Sequence, residues 1–179
     1  TPTTVIPLST GTVANSIALA AVTPPWGAVY CHRNAHILND EGGAPEFFGN
    51  GLRLVPVDGP DGKFSAEAMD RLVRANEGHG VHSYQPSAVS ITQNTESGTV
   101  YRQEEISAIC QAAERHGMAT HMDGARFANA VASLGCHPAD ITWRAGVQML
   151  SFGASKNGCL AAEALLLFGH TDLQEKAER

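Results

Sequence analysis

The chain has 179 residues, 12 basic and 18 acidic, for a net charge of −6. With 43% hydrophobic and 17% charged residues it can fill a core, which excludes intrinsic disorder. No basic run exists to neutralise phosphates, which argues against a nucleic-acid partner. The longest apolar stretches, Ile17 to Val22 and Ala161 to Phe168, fall far short of the roughly 20 residues of a membrane helix.

The pattern then alternates short apolar runs with helical periods. Gly11 to Val22 reads as a helix opened by the cap-forming run Ser9-Thr10-Gly11-Thr12. Ala28 to Cys31 and Leu52 to Val57 read as strands, and Ser65 to Asn76 as a helix with apolar positions at Ala68, Met69, Leu72 and Val73. Ala88 to Thr92 reads as a buried strand, followed by a polar loop from Gln93 to Thr99. Glu104 to His116 is a helix, acidic at its start and stopped by Gly117. Met118 to Met122 is a strand ended by Asp123-Gly124, and Ala125 to Leu134 a helix closed by Gly135. Val147 to Phe152 and Ala164 to Phe168 are strands on either side of a small-residue loop, Gly153 to Gly158. Strands separated by helices predict an α/β fold with a largely parallel sheet flanked by helices. Ligands then bind beyond the carboxyl ends of the strands.

Cysteine and histidine usage adds little chemistry. Cys31, Cys110, Cys136 and Cys159 form no C-x-x-C pair, which predicts four reduced, mostly buried thiols in a cytoplasmic protein. His32/His36 and His79/His82 have helix-like spacing but lie in loop-like settings, so no metal site is expected.

Four loops carry reactive residues. Gly11 and Thr12 open a helix, where unpaired N–H groups suit a phosphate or are simply capped by the chain. Asp123, at a strand end, can pair with a cationic ring nitrogen; it can equally form a turn or a salt bridge with Arg126. Lys156 sits among small residues between apolar strands, a setting that would partly desolvate it and free its amine for attack on a carbonyl; otherwise it is a solvated loop lysine. His36 follows a strand in a polar loop, where a surface histidine is the ordinary outcome. Together, a phosphate cradle, a carboxylate for a ring nitrogen and a nucleophilic lysine are the protein parts that pyridoxal phosphate requires.

The runs His121-Met122-Asp123-Gly124-Ala125-Arg126 and Ser151-Phe152-Gly153-Ala154-Ser155-Lys156-Asn157-Gly158 closely resemble the low-specificity L-threonine aldolases. Ser9 to Asn15, Ala35-His36-Ile37 and Glu41-Gly42-Gly43 resemble the same family, in the family's order. The resemblance implies the large cofactor-binding domain of a fold-type I pyridoxal 5'-phosphate enzyme, a homotetramer or dimer acting on a small amino-acid substrate. It implies Lys156 as the Schiff-base lysine, Asp123 as partner of the pyridine nitrogen, and His36 stacked on the ring near the substrate hydroxyl. Gly11 and Thr12 would hold the phosphate and Arg126 the ring oxygen, with Ser155 contacting the phosphate or orienting the lysine. Where many family members carry Glu-Asn-Thr-His, this chain reads Gln93-Asn94-Thr95-Glu96, so Glu96 either supplies another acid–base group or faces solvent.

The expected reaction is retro-aldol cleavage of L-threonine or L-allo-threonine to glycine and an aldehyde. The alternatives are another fold-type I lyase working by β-elimination, or a non-catalytic relative. The first residue is not Met, and the family's N-terminal arm and C-terminal small domain have no counterpart, so residues 1–179 are expected to be an incomplete cofactor-binding domain.

Overall fold

A computed structural model describes residues 1–76, 80–169 and 171–178, leaving His79 of the His79/His82 pair outside the described residues. Its centre is a sheet of seven strands: β1 (Thr3–Leu8), β2 (Gly27–His32), β3 (Arg53–Val57), β4 (Gln85–Thr92), β5 (Ala119–Gly124), β6 (Met149–Gly153) and β7 (Glu163–Phe168). Their order across the sheet is β1-β7-β6-β5-β4-β2-β3. From β3 to β6 every pairing is parallel, whereas β7 pairs antiparallel with both β6 and β1. Only β7 therefore runs against the rest, and β1 ends at the same edge as the parallel strands.

Helices cover both faces. Strand residues alternate between them, as the two-residue period of a strand requires. Tyr30, Val89, Ile91, Met122 and Leu150 point toward α4 (Ala66–Asn76), α5 (Gln103–Arg115) and α6 (Phe127–Leu134), where Met69, Ile106, Ile109 and Phe127 complete one core. Val29, Cys31 and Ala88 point the other way, against Leu19 of α1 (Gly11–Val22). Met149, Leu165 and Leu167 meet Ala18 of α1 and Leu173 of α7 (Thr171–Glu178) on that same face. His121 and Asp123 alternate with Met122, so both lie on the α1 face.

The parallel sheet and its crossovers match the sequence expectation, with four differences. β1 goes unread in the sequence because its alternation is short and interrupted by Pro7, which an edge strand tolerates. The last strand reverses direction. Two short helices, α2 (His36–Asn39) and α3 (Ala44–Phe48), lie in the segment between β2 and β3. β5 runs through Asp123-Gly124 rather than stopping before them, and α6 starts at Phe127. Gly124 permits this: a Cβ there would stand 2.5 Å from Leu150 Cδ1 and 2.9 Å from the Ser151 carbonyl oxygen. Of the four free thiols only Cys31 and Cys110 are buried; Cys136 is half-buried and Cys159 exposed, so "mostly buried" does not describe them. Among the described residues no helix is long and apolar enough to cross a membrane, and no cluster of three or more His, Cys, Asp or Glu side chains is placed to hold a metal ion.

Candidate active site

At the carboxyl edge of the sheet lies a hollow of about 200 Å³. The topology makes it: β2 leads outward to β3 while β4 leads the other way to β5, so the chain diverges above their ends. Gly11, Thr12, His36, Asp123, Arg126 and Lys156 all line the hollow. Separate segments supply them, which no local sequence pattern would have brought together.

Each side chain has a local cause. Thr10 caps α1, its Oγ1 accepting from the Val13 N–H at 3.2 Å, so the first turn, with Gly11 and Thr12, opens on the hollow. Asp123 is only 4% exposed; its Oδ1 accepts from the Ala125 N–H at 3.0 Å and its Oδ2 from Asn15 Nδ2 at 3.2 Å. No ion pair joins Asp123 to Arg126 among the described residues, so the salt-bridge reading of that pair is not realised; Asp123 and Gly124 end β5, and the chain turns just after them at Ala125-Arg126. Arg126 stands at the N-cap position of α6 with no side-chain cap hydrogen bond, half-buried at the wall.

His36 begins α2. Its backbone N–H donates to Glu96 Oε1 at 2.8 Å, and its Nδ1 lies 3.0 Å from Glu41 Oε1. Glu96 also accepts from Thr92 Oγ1 at 3.2 Å, so it turns into the hollow instead of toward solvent. Lys156 lies in a 3-10 turn, Ser155–Asn157, and is exposed. The partial desolvation expected from its apolar flanks is absent, because the segment between β6 and β7 projects past the sheet and Cys159 to Ala162 are exposed with it. Asn157 holds the turn down, donating from Nδ2 to the Gly153 carbonyl at 2.9 Å. Ser155 lies outside the lining; its Oγ accepts from the Ala162 N–H at 3.3 Å.

Reading the sequence gave no role to four polar lining residues: Asn15, Glu41, Thr92 and Glu163. Asn15 follows Thr12 by three positions on α1, so it shares the face that opens on the hollow. Thr92 closes β4. Glu163 is the acidic first residue of the otherwise apolar β7, and its Oε2 would lie 3.7 Å from a Cβ at Gly11. Three buried polar atoms of the lining have no hydrogen-bond partner: Asn15 Oδ1, Glu41 Oε2 and Glu96 Oε2.

Two nearby groups are set aside by their electrostatics. Burial, aided by Glu96 and Glu46, pushes the Cys31 thiol up to about 12, so it is not a nucleophile at neutral pH. His121, fully enclosed between Ser90 Oγ and Ser151 Oγ at 2.9 Å each, is held well below its ordinary range by burial, against the opposing pull of Asp123. It is a neutral part of the sheet beneath Asp123.

Comparison with known proteins bears on the family and the fold. The low specificity L-threonine aldolase of Pseudomonas aeruginosa is 46% identical over 165 residues, which are 92% of this chain and 47% of that protein. A second protein of that description, from a Pseudomonas species, is 44% identical over 158 residues, 88% of this chain and 45% of that one. The structure of a Leishmania major threonine aldolase superposes with a TM-score of 0.85 at 31% identity, covering 98% of this chain and 51% of that one. The chain thus spans about half the length of the curated relatives it matches. The beta-eliminating lyase pattern matches residues 2–178, nearly end to end, and the chain belongs to that family of pyridoxal-phosphate-dependent enzymes.

Proposed function

We propose that residues 1–179 are the cofactor-binding domain of an aldolase that cleaves L-threonine or L-allo-threonine to glycine and an aldehyde. The observation that carries the reading is the convergence of Lys156, buried Asp123, His36 and the start of α1 on one hollow. The donor set fits pyridoxal phosphate: open N–H groups for the phosphate, a desolvated carboxylate for the ring nitrogen, an exposed amine for the aldehyde carbon. The three orphaned polar atoms on the same wall are groups that a bound ligand would satisfy. The hollow is narrower than the roughly 300–1,000 Å³ of ordinary ligand sites, and the exposed segment bearing Lys156, with Glu163, is the wall that has to give.

When bound, the cofactor supplies an electron sink for the pair released as the Cα–Cβ bond breaks. The chain's own residues do the rest. Lys156, exposed at the rim of the hollow, is the amine that would hold the cofactor. Asp123, a buried carboxylate at the end of β5, would accept a hydrogen bond from a protonated pyridine nitrogen and so keep the proton there. The N–H groups of Gly11 and Thr12 would receive the phosphate at the positive end of α1, and Arg126 would hold the ring oxygen. His36 takes the proton from the β-hydroxyl. Ser155 supports the lysine turn through its bond to Ala162.

The same reading makes the enzyme a cytoplasmic homo-oligomer, dimer or tetramer; the exposed apolar side chains of Phe47, Phe48 and Leu160 are in keeping with contact between copies. The family's own description gives a second reading, β-elimination, which would retain Lys156 and Asp123. Product analysis separates them. Incubated with pyridoxal phosphate and L-threonine, the protein is expected to release acetaldehyde and glycine; pyruvate from L-serine with no acetaldehyde from threonine would favour elimination. Lys156→Ala should abolish turnover and the borohydride-fixed cofactor label without disturbing the fold, since the side chain is exposed. Retention of both would refute its role.

A further inference from the structure

Glu41 is given no step of the reaction in the reading above, yet the site's hydrogen bonds meet on it. Its side chain is 1% exposed, and it sits between α2 and α3, five residues beyond His36. Its Oε1 accepts from Asn15 Nδ2 at 2.7 Å and faces His36 Nδ1 at 3.0 Å. The same Asn15 nitrogen reaches Asp123 Oδ2 at 3.2 Å. An amide nitrogen carries two hydrogens, so both are used, one on each carboxylate.

That count fixes the direction of the remaining bond. Glu41 Oε1 is already an acceptor toward Asn15, and a carboxylate oxygen has no proton of its own to give. The hydrogen between Glu41 and His36 therefore belongs to His36 Nδ1. A proton placed on Glu41 Oε2 instead would be buried without a partner. The imidazole is thereby left with its lone pair on Nε2, the nitrogen away from Glu41. His36 is also pinned at its backbone, where Glu96 Oε1 receives its N–H at 2.8 Å. One carboxylate sets where the residue starts, the other how its ring is protonated and turned.

We infer that Glu41 is a positioning residue: it holds His36 as the Nδ1–H tautomer with Nε2 free to accept a proton, and through Asn15 it ties that ring to Asp123. The inference rests on the aldolase reading for its purpose, since His36 there removes the β-hydroxyl proton. The logic is that of a base oriented by a third group. It requires no contact between Glu41 and either cofactor or substrate.

The test is the ring ¹⁵N chemical shifts of His36 in histidine-labelled protein with no ligand added, assigned by comparison with His36→Asn. Nδ1 is expected to be the protonated nitrogen in the parent. Glu41→Gln, which keeps an acceptor oxygen, should preserve that tautomer, whereas Glu41→Leu should move the ring toward Nε2–H. Threonine cleavage should fall about 10- to 100-fold in Glu41→Leu, chiefly in kcat, as for other groups that orient a reacting residue from behind. An Nε2–H ring in the parent, or an unchanged tautomer in Glu41→Leu, overturns the inference. If Glu41→Leu does not fold, the parent spectrum decides alone. The tautomer is read without turnover, so a protein with the expected ring and no aldehyde product would refute the aldolase reading and leave the role of Glu41 standing.

Discussion

Replacing Asp123 with Asn separates what the carboxylate does for the fold from what it does for the reaction. The side chain is 4% exposed and its two oxygens take hydrogen bonds from Asn15 and Ala125. The substituted amide would keep one acceptor for the Ala125 N–H and turn an NH₂ group toward Asn15. Asn15 has a buried, unpartnered Oδ1 that can accept it only by turning Nδ2 away from Glu41, so one of the two Asn15 hydrogen bonds is weakened. A second effect favours the variant: Asp123 and Glu41 both accept from the Asn15 nitrogen, at 3.2 and 2.7 Å, so their oxygens stand at most about 6 Å apart. Two like charges at about 6 Å repel by ~0.7 kcal/mol in water and ~3 kcal/mol at an effective dielectric of ~20. Relief of that repulsion roughly offsets the weakened hydrogen bonds, at ~1 kcal/mol each. Denaturant unfolding without cofactor should therefore leave Asp123→Asn within about 1 kcal/mol of the parent. Catalysis should not be spared. Removing one partner of a buried charge pair costs ~3–5 kcal/mol, which in a barrier is roughly a 10²- to 10⁴-fold slower turnover. The assay is acetaldehyde release from L-threonine at saturating pyridoxal phosphate, where weaker cofactor binding does not intrude. A folded Asp123→Asn protein within about tenfold of the parent rate would refute the pairing of Asp123 with the ring nitrogen.

Two further outcomes follow from groups the sequence did not single out. Glu163 faces the start of α1, where the phosphate is proposed to sit, so Glu163→Gln should tighten binding of inorganic phosphate and pyridoxal phosphate. At a separation of about 5 Å the repulsion is ~1–3 kcal/mol per unit charge, or about 5- to 150-fold in Kd; unchanged or weaker binding would move the phosphate elsewhere. His121 is depressed by burial in the folded protein, from an ordinary value of 6.5. As pH falls below about 6.5 the unfolded chain takes a proton that the folded one refuses, so stability is full above that pH and declines below it. The slope is at most about 1.4 kcal/mol per pH unit, and it should vanish in His121→Asn; a parent protein equally stable at pH 7.5 and 5.5 would show that His121 opens to water.

The alternation of strands and helices was legible because burial on two faces writes itself into short apolar runs. The site was legible in kind: Gly11, Thr12, His36, Asp123, Arg126 and Lys156 were recognisable by type and by their place after a strand or before a helix. Its connections were not. That Asn15 bridges Asp123 and Glu41 depends on α1 lying across β5, a contact between residues 108 positions apart. That Lys156 is exposed depends on how far its turn projects beyond the sheet, which apolar neighbours in sequence do not report. The reversal of β7 was hidden for a similar reason, since an apolar run of five residues, Ala164 to Phe168, reads the same in either direction.

That reversal turns the lysine segment into the loop of a hairpin, bracketed by the pairing of Gly153 with Glu163 and closed where the Ala154 N–H donates to the Ala162 carbonyl at 2.9 Å. A hairpin loop and a crossover differ in what a change of length does to them. Lengthening the tip between Asn157 and Ala161 adds only the slowly growing entropy of loop closure, whereas one residue added within β7 would turn Leu165 and Leu167 out of the core. The segment that presents the amine is thus the part of the site most free to vary in length between relatives, and it can do so without unsettling the buried carboxylate on β5.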